Sequence, residues 1–130
     1  MAKEFELRAE RVRKEMDENN IDVALIYQSG RAWAYGDFAY ISNYVPCGSN
    51  AMVILPRDGD PVLLVSNMLD LAMARDMSWI EDIRLSKNFA KETGKVLISK
   101  NLATKTVGLV GIQIGRPKEV IGLGFQQWLH

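Results

Sequence analysis

The sequence predicts an α/β domain of three layers, in which helices flank a mixed central β-sheet. Apolar residues recur at helical spacing near the N-terminus, apolar runs of strand length follow, and helical and strand-like segments then alternate. With 130 residues, of which 48% are hydrophobic and 25% charged, the chain has the length and composition of one globular domain. We therefore expect residues 1–130 to form a single domain.

The first predicted helix covers residues 3–19. Four apolar residues recur there at spacings of four, three and four and share one helical face: Phe5, Ala9, Val12 and Met16. Asn19 and Asn20 follow, and asparagine tolerates the left-handed conformation that ends many helices. Residues 21–27, IDVALIY, are almost continuously apolar, which is typical of a strand covered on both faces.

A hairpin is predicted in the middle of the chain. Residues 30–42, GRAWAYGDFAYIS, have no clean period and suggest a short helix or an irregular turn. Residues 51–55 and 61–65 are apolar runs, and the short connection PRDGD between them contains Asp58-Gly59, a strong hairpin signal. These two runs should be antiparallel neighbours.

The second half of the chain alternates helices and strands. Ser66 is predicted to cap a helix over residues 67–76, with Met68, Leu69, Ala72 and Met73 on one side. A strand over 80–85, a helix over 88–101 and a strand over 106–112 follow. Arg116-Pro117 opens a final helix, because proline is tolerated in the first turn.

Composition excludes several classes of function. Lysine plus arginine equals aspartate plus glutamate at 16 each, so no net charge attracts a nucleic acid or a membrane surface. One cysteine and one histidine are too few for a disulfide or a structural zinc site. The charged N-terminus lacks the apolar core of a signal peptide, and no apolar run is long enough to cross a membrane. We expect a cytoplasmic protein.

Individual residues with reactive or ligand-binding chemistry have simpler explanations. The spacing of Gly108, Gly111 and Gly115 matches neither a dinucleotide fingerprint nor a P-loop, which favours close packing. Cys47 would need a base beside it to act as a nucleophile, and the chain offers only His130. Two acidic pairs are explained by turn chemistry and by a solvated strand edge, and they are assigned no site: Asp58 with Asp60, and Glu81 with Asp82.

Aromatic residues concentrate in one stretch of eighteen residues: Tyr27, Trp33, Tyr35, Phe38, Tyr40 and Tyr44. Two interpretations stay open, an ordinary core or an interface, since tyrosine, tryptophan and arginine contribute strongly to association. We expect the Tyr27 and Tyr40 side chains inside the domain, and Trp33, Tyr35 or Tyr44 facing outward.

Three stretches together resemble a known family. Residues 8–26, RAERVRKEMDENNIDVALI, resemble the opening helix and first strand of the N-terminal domain of creatinase, prolidase and aminopeptidase P. FAYISNY, residues 38–44, resembles that family's Y-L-T/S-G-F/Y signature, and AMVILPRDGDPVLLV is similar to the strands that follow it. The resemblance covers about residues 5–115. Asn43 stands where the family usually has glycine, and asparagine also tolerates a left-handed backbone.

The resemblance implies a ribonuclease H-like fold and a non-catalytic role in dimerisation and in lining the partner subunit's substrate site. By position, the loop that would reach that site is residues 44–50, in which Pro46 adds rigidity, Gly48 adaptability, and Ser49 and Asn50 hydrogen-bonding groups. A plain surface connection is the alternative. The candidate substrate-lip or interface residues are Tyr44, Pro46, Cys47, Gly48, Ser49, Asn50, Trp33 and Tyr35.

The family's pita-bread catalytic domain binds two divalent metal ions through Asp, Asp, His, Glu and Glu, and nothing in this chain resembles it. We therefore expect no catalytic residue, metal site or cofactor in this chain, which would be an excised or natively short N-terminal domain. Its expected partners are the catalytic domain of a parent Xaa-Pro dipeptidase, aminopeptidase P or creatinase-like hydrolase and a second copy in a homodimer. The alternatives are a free-standing small-molecule or nucleotide-binding α/β domain with its pocket near Gly108 to Gly115, or a stand-alone interaction protein.

Overall fold

The computed structural model describes residues 2–28, 36–46 and 49–110. Within them, helices and strands alternate after an initial helix. The elements are α1 (Ala2–Glu18), β1 (Val23–Gln28), α2 (Gly36–Ser42), β2 (Ala51–Pro56), β3 (Val62–Val65), α3 (Met68–Met77), β4 (Asp82–Leu85), α4 (Phe89–Ser99) and β5 (Val107–Val110). The final helix predicted at Arg116-Pro117 lies outside the described residues.

The five described strands form one mixed sheet in the order β4-β3-β2-β1-β5. β2 pairs antiparallel with β1 and with β3, which confirms the predicted hairpin. The two outer strands are parallel to their neighbours, β5 to β1 and β4 to β3. Parallel pairs require a crossover between the strands, and helices such as α3 and α4 supply them.

Apolar side chains cover both faces of this sheet, so the domain has three layers as predicted. On β1, Ala24 and Ile26 belong to one core cluster and Val23 and Leu25 to the other, because alternate residues of a strand point to opposite faces. The first cluster includes residues of α1, α2 and α3. The second is covered by α4 through Val96 and Leu97.

The predicted first helix is confirmed to within one residue at each end. Ala9 and Met16 are buried on its inner face. Asn20 has a φ of 57°, and the amide of Ile21 donates to the carbonyl of Met16 at 2.8 Å. This left-handed residue and its hydrogen bond back into the last turn end the helix as the asparagine pair predicts.

The prediction for α3 is wrong in two respects. Asn67, and not Ser66, caps the helix, since its side-chain oxygen accepts a hydrogen bond from the amide of Asp70. Met68 and Leu69, expected on an apolar side with Ala72 and Met73, are 67% and 61% exposed. The helix offers a second apolar pair, Leu71 and Ala74, and it is this pair that packs in the first core cluster, with Asp70 buried beside it.

Candidate functional site

The predicted lip residues lie between α2 and β2, in the segment that we call the 44–50 loop. Tyr44, Pro46, Ser49 and Asn50 are among the described residues. Trp33, Tyr35, Cys47 and Gly48 lie outside them. The description of the loop therefore rests on its two ends, residues 44–46 and 49–50.

A left-handed residue turns the chain from α2 into the loop. Asn43 has a φ of 55°, so the conformation expected where the family usually has glycine is present. Its amide nitrogen Nδ2 donates to the carbonyl of Met77 at 3.0 Å, at the end of α3. A glycine would supply the backbone conformation without this bond. Asparagine thus ends α2 and also ties it to α3.

Further hydrogen bonds join α2 to the residues that follow α3. The hydroxyl of Ser78 donates to the carbonyl of Ser42 at 2.6 Å. The indole Nε1 of Trp79 donates to the carbonyl of Ile41, also at 2.6 Å. These bonds satisfy carbonyl groups in the last turn of α2, which a short helix leaves without intrahelical partners. The last turn of α2 and Asn43 are consequently bonded to the end of α3 and to the residues that follow it.

Tyr44 does not face outward as predicted. Its side chain is 1% exposed, and its ring packs edge-on against Phe38 with centroids 6.5 Å apart. The hydroxyl donates a hydrogen bond to Oδ1 of Asp70. A buried tyrosine hydroxyl needs such a partner, and Asp70 on α3 provides it. The expected direction was wrong because the acceptor lies 26 residues further along the chain.

The prediction for Tyr40 is also wrong, because this side chain is 37% exposed. The guanidinium of Arg8 lies 4.8 Å from its ring centroid and 4.7 Å from that of Phe5, which is a cation–π arrangement between α1 and α2. Tyr27 is half-buried and packs on the second core cluster, and this burial raises the pKa of its hydroxyl. Thus Tyr27 lies largely inside as expected, and Tyr40 lies at the surface.

Asp70 is the centre of the site. Its side chain is 1% exposed, and a carboxylate so deeply buried requires hydrogen-bond donors to offset its lost hydration. Tyr44 donates to Oδ1, and the hydroxyl of Ser49 donates to Oδ2. The Asn67 amide also donates to Oδ2, at 2.7 Å. One carboxylate therefore binds both described ends of the 44–50 loop.

The sequence interpretation did not identify Asp70 or Asn67 as site residues. A usable signal was present, because Asn67 followed three residues later by an acidic residue has the spacing of a capping box. The amide of Asp70 donates to Oδ1 of Asn67 at 2.8 Å, and the Asn67 side chain donates back to the carboxylate. This reciprocal pair would have placed the helix start at Asn67 and drawn attention to Asp70.

The loop and α3 present apolar side chains at the surface. Val45, next to Tyr44, is exposed, whereas Pro46 is buried. Met68 and Leu69, both exposed, directly precede Asp70. Exposed apolar groups thus flank the Tyr44–Asp70 hydrogen bond in both segments. Asn50, at the end of the loop, is exposed as well.

Of the acidic residues that were assigned no site, Asp58 and Asp60 lie in the hairpin turn, Glu81 is exposed, and Asp82 makes an ion pair. Arg84 donates to both carboxylate oxygens of Asp82, at 2.9 and 3.0 Å, and also to Glu92 on α4. The hydrogen bonds from Arg84 lower the pKa of Asp82, against an opposing effect of partial burial. This cluster joins β4 to α4 across the protein surface.

A polar groove of about 730 Å³ lies between α1 and the β2–β3 turn. Its lining residues are Glu10, Arg13, Lys14, Asp17, Arg57, Asp58 and Gly59. Arg13 donates to the carbonyl of Pro56 at 3.2 Å, and Arg57 donates to Asp22 at 3.1 Å. These two cations bind groups of the protein itself, so their bonds attach α1 and β1 to the hairpin turn.

The glycine-rich segment that could have bound a nucleotide is described in part. A Cβ atom added to Gly108 would lie 3.1 Å from Cγ2 of Ile21, closer than such atoms normally approach. Gly108 is therefore explained by close packing between β5 and the start of β1. Gly111 and Gly115 lie outside the described residues. The nucleotide alternative gains no support from Gly108.

Among residues 2–28, 36–46 and 49–110, no three His, Cys, Asp or Glu side chains come together as metal ligands. None of the described helices is long and apolar enough to cross a membrane.

A comparison with protein families decides where the chain belongs. The Creatinase/Prolidase N-terminal domain matches residues 8–113. The chain is a member of this family. The match covers α1 to β5, and it confirms the resemblance found in the opening helix, the FAYISNY stretch and the hairpin. None of the curated proteins compared with the chain matches it.

Solved structures of the creatinase/prolidase family have the same fold. A Streptococcus pyogenes XXA-pro aminopeptidase is similar with a TM-score of 0.68 and 17% identity, over 100% of both chains. The N-terminal domain of a putative Corynebacterium diphtheriae metallopeptidase has a TM-score of 0.57 and 14% identity, over 82% of this chain and 94% of its own. A Bacillus anthracis Xaa-Pro dipeptidase has a TM-score of 0.66 and 14% identity, over 91% of this chain and 32% of its own. These likenesses confirm the mixed α/β fold.

Proposed function

We propose that the chain is a non-catalytic N-terminal domain of a creatinase- or Xaa-Pro-peptidase-type metallohydrolase. In this role it supports dimerisation and lines the substrate site of a partner subunit with the 44–50 loop. The observation that carries the proposal is that both described ends of the loop donate hydrogen bonds to the Asp70 carboxylate, through Tyr44 and Ser49. A loop held in one geometry loses less conformational entropy when it meets a substrate or a partner than a free loop does.

Membership of the family supports the choice of parent enzyme. The similar proteins include an XXA-pro aminopeptidase and an Xaa-Pro dipeptidase, and the chain spans 32% of the latter. In the proposed enzyme the remaining part would hold the two divalent metal ions and perform the hydrolysis. This domain would contribute assembly and substrate selection.

The surface near Asp70 supports an association role. Val45, Met68 and Leu69 are exposed apolar side chains, and the cores of protein interfaces are depleted of charged residues. Asn50, exposed at the end of the loop, is a candidate for a polar contact with substrate. We propose that a second copy of the enzyme covers the apolar side chains and that Asn50 faces the substrate site.

Two measurements test the proposal. In the complete enzyme that carries this domain, Asn50→Ala should raise KM for an Xaa-Pro peptide by roughly fivefold, since a lost polar contact is worth about 1 kcal/mol. Its unfolding midpoint is measured alongside, so that a loss of substrate contact is distinguished from a loss of stability. Asp58→Ala, in the exposed hairpin turn on another part of the surface, is the matched control and should leave KM unchanged.

Dimerisation is tested separately by light scattering on the same enzyme. Leu69→Ser should increase the monomer fraction at micromolar concentration, because it places a polar group in the proposed apolar contact. A dimer that is as stable as the unsubstituted enzyme would contradict the assembly role. Peptide hydrolysis by the isolated chain, without any second domain, would contradict the non-catalytic role.

A further inference from the structure

We infer that Asp70 is a positioning residue, whose buried carboxylate holds the two ends of the 44–50 loop in one geometry against α3. The contribution of this geometry to substrate handling rests on the proposed function. The hydrogen bonds from the loop ends to Asp70 lie within this domain, so opening of the loop can be measured on the domain without any substrate.

The positions of the donors carry this inference. Tyr44 and Ser49 are separated by five positions in the chain, and their hydroxyls reach different oxygens of the same carboxylate. The loop is therefore closed at its ends by one side chain from another element. Asp70 lies 26 positions after Tyr44 and 21 after Ser49, so the closure is a tertiary contact.

Asp70 itself is fixed by the start of α3. Its amide donates to the side-chain oxygen of Asn67, and the Asn67 amide group donates to Oδ2 of Asp70 at 2.7 Å. A carboxylate held in this way offers acceptors at set positions, which is what a supporting residue must do for a loop. An apolar side chain at position 70 would fill the space without binding either hydroxyl.

Burial makes these hydrogen bonds strong. The Asp70 side chain is nearly inaccessible to water, and a hydrogen bond in such low-dielectric surroundings is electrostatically stronger than one in water. Loss of the loop donors should therefore release the loop ends measurably. If the carboxylate served general stability alone, the loop ends would be released only when the whole domain unfolds.

The test uses the single cysteine of the chain as a probe of the loop. Cys47 lies between Tyr44 and Ser49 in sequence, so its reaction with a chromogenic disulfide reagent reports opening of this segment. In the double variant Tyr44→Phe, Ser49→Ala, the labelling rate should rise between about 10-fold and about 100-fold. The free energy of opening obtained from this labelling should stay below the one obtained from amide hydrogen exchange in β2 and β3, because the loop opens without unfolding of the whole domain.

Ser99→Ala is the matched control. It removes a hydroxyl that makes a hydrogen bond in α4, to the carbonyl of Val96, but it leaves Asp70 and its partners in place. The control should label at the rate of the unsubstituted chain. Asp70→Ala should reproduce the double variant, because it removes the shared acceptor. If Asp70→Ala does not fold, the double variant decides alone, and Ser49→Ala by itself decides if the double variant also fails to fold.

Three results would overturn the inference. One is an unchanged Cys47 labelling rate in the variants that fold. Another is an equal free energy of opening from labelling and from exchange in β2 and β3, which indicates that Cys47 is reached only by unfolding of the whole domain. The third is labelling of the unsubstituted chain at the rate of an unfolded peptide. If the double variant labels faster at Cys47 but the same double substitution leaves KM of the complete enzyme unchanged, the proposed function is refuted and the role of Asp70 stays intact.

Discussion

The hydroxyl of Tyr44 donates a hydrogen bond to the buried carboxylate of Asp70, across 26 positions of the sequence. This contact connects the residue that begins the 44–50 loop with the first turn of α3. It also explains why an aromatic residue next to an exposed valine lies inside the domain. The Tyr44 ring packs on Phe38, and the hydroxyl has an acceptor.

Removal of this hydroxyl should destabilise the domain. We expect Tyr44→Phe to lower the free energy of unfolding by about 1.5 to 3 kcal/mol, because a buried carboxylate loses a donor while the ring is kept. Chemical denaturation followed by circular dichroism measures the change. Tyr40→Phe is the control, since the Tyr40 side chain is at the surface, and it should change stability by less than about 0.5 kcal/mol. Equal effects of the two substitutions would contradict this account.

Asn43 should be sensitive to both its backbone and its side chain. Asn43→Ala has two effects: alanine tolerates the left-handed backbone less well than asparagine, and it cannot donate to the carbonyl of Met77. We expect the free energy of unfolding to fall by about 2 kcal/mol. Asn43→Gly loses only the side-chain bond and should cost about 1 kcal/mol. Thermal unfolding of the two variants gives the order.

The same pair of substitutions at Asn101 isolates the backbone effect. Asn101 has a φ of 58°, and its side chain makes no hydrogen bond within the described part of the chain. Asn101→Gly should be nearly neutral, while Asn101→Ala should cost about 1 kcal/mol. If Asn43→Gly proved as harmless as Asn101→Gly, the bond from Asn43 to Met77 would contribute nothing.

Gly108 should not tolerate a larger residue. A methyl group there would lie 3.1 Å from Cγ2 and 3.2 Å from Cδ1 of Ile21, so Gly108→Ala should cost about 1 to 2 kcal/mol through overpacking. The cost should shrink in an Ile21→Ala background, where the obstructing atoms are gone. Gly36→Ala is the control, because nothing lies within 4 Å of the added atom. Denaturant midpoints of the four variants complete the comparison, and an unchanged cost in the Ile21→Ala background would argue against the clash.

The ion pair of Asp82 with Arg84 should make the free energy of unfolding depend on pH in the acidic range. Arg84 lowers the pKa of the Asp82 carboxyl in the folded chain from its ordinary 3.8, so the folded state favours the charged form. The contribution of this ion pair to the free energy of unfolding is therefore complete above the ordinary pKa of Asp82. It is lost as pH falls through the lowered pKa of the folded chain. Both side chains are over a third exposed, so we expect less than about 1 kcal/mol.

Asp82→Asn tests this contribution by urea denaturation at several pH values. The stability difference from the unsubstituted chain should be present at neutral pH and should vanish in strong acid. In an Arg84→Met background, Asp82→Asn should have almost no effect at neutral pH, because its partner is absent. A difference that grows on acidification has the wrong sign and would refute the assignment.

Features set by neighbouring residues could be predicted from the sequence. The spacing of Ala9 and Met16 predicted the buried face of α1, and the Asp58-Gly59 turn predicted the hairpin of β2 and β3. The left-handed conformation at Asn43 was expected from the family resemblance, because glycine usually stands there and asparagine tolerates the same conformation. For the helix and the hairpin the pattern lies within a few neighbouring positions, so the local sequence contains the information.

The tertiary structure alone decided which residues the 44–50 loop buries and which face α3 turns inward. On α3, Met68 with Leu69 and Leu71 with Ala74 were competing apolar pairs, and nothing within the helix ranks them. In the folded domain Leu71 and Ala74 face inward, and Asp70 is buried next to them with hydrogen bonds from the hydroxyls of Tyr44 and Ser49. These contacts depend on the folding of distant segments onto one sheet, because a buried charge is stable only where remote parts of the chain bring donors to it.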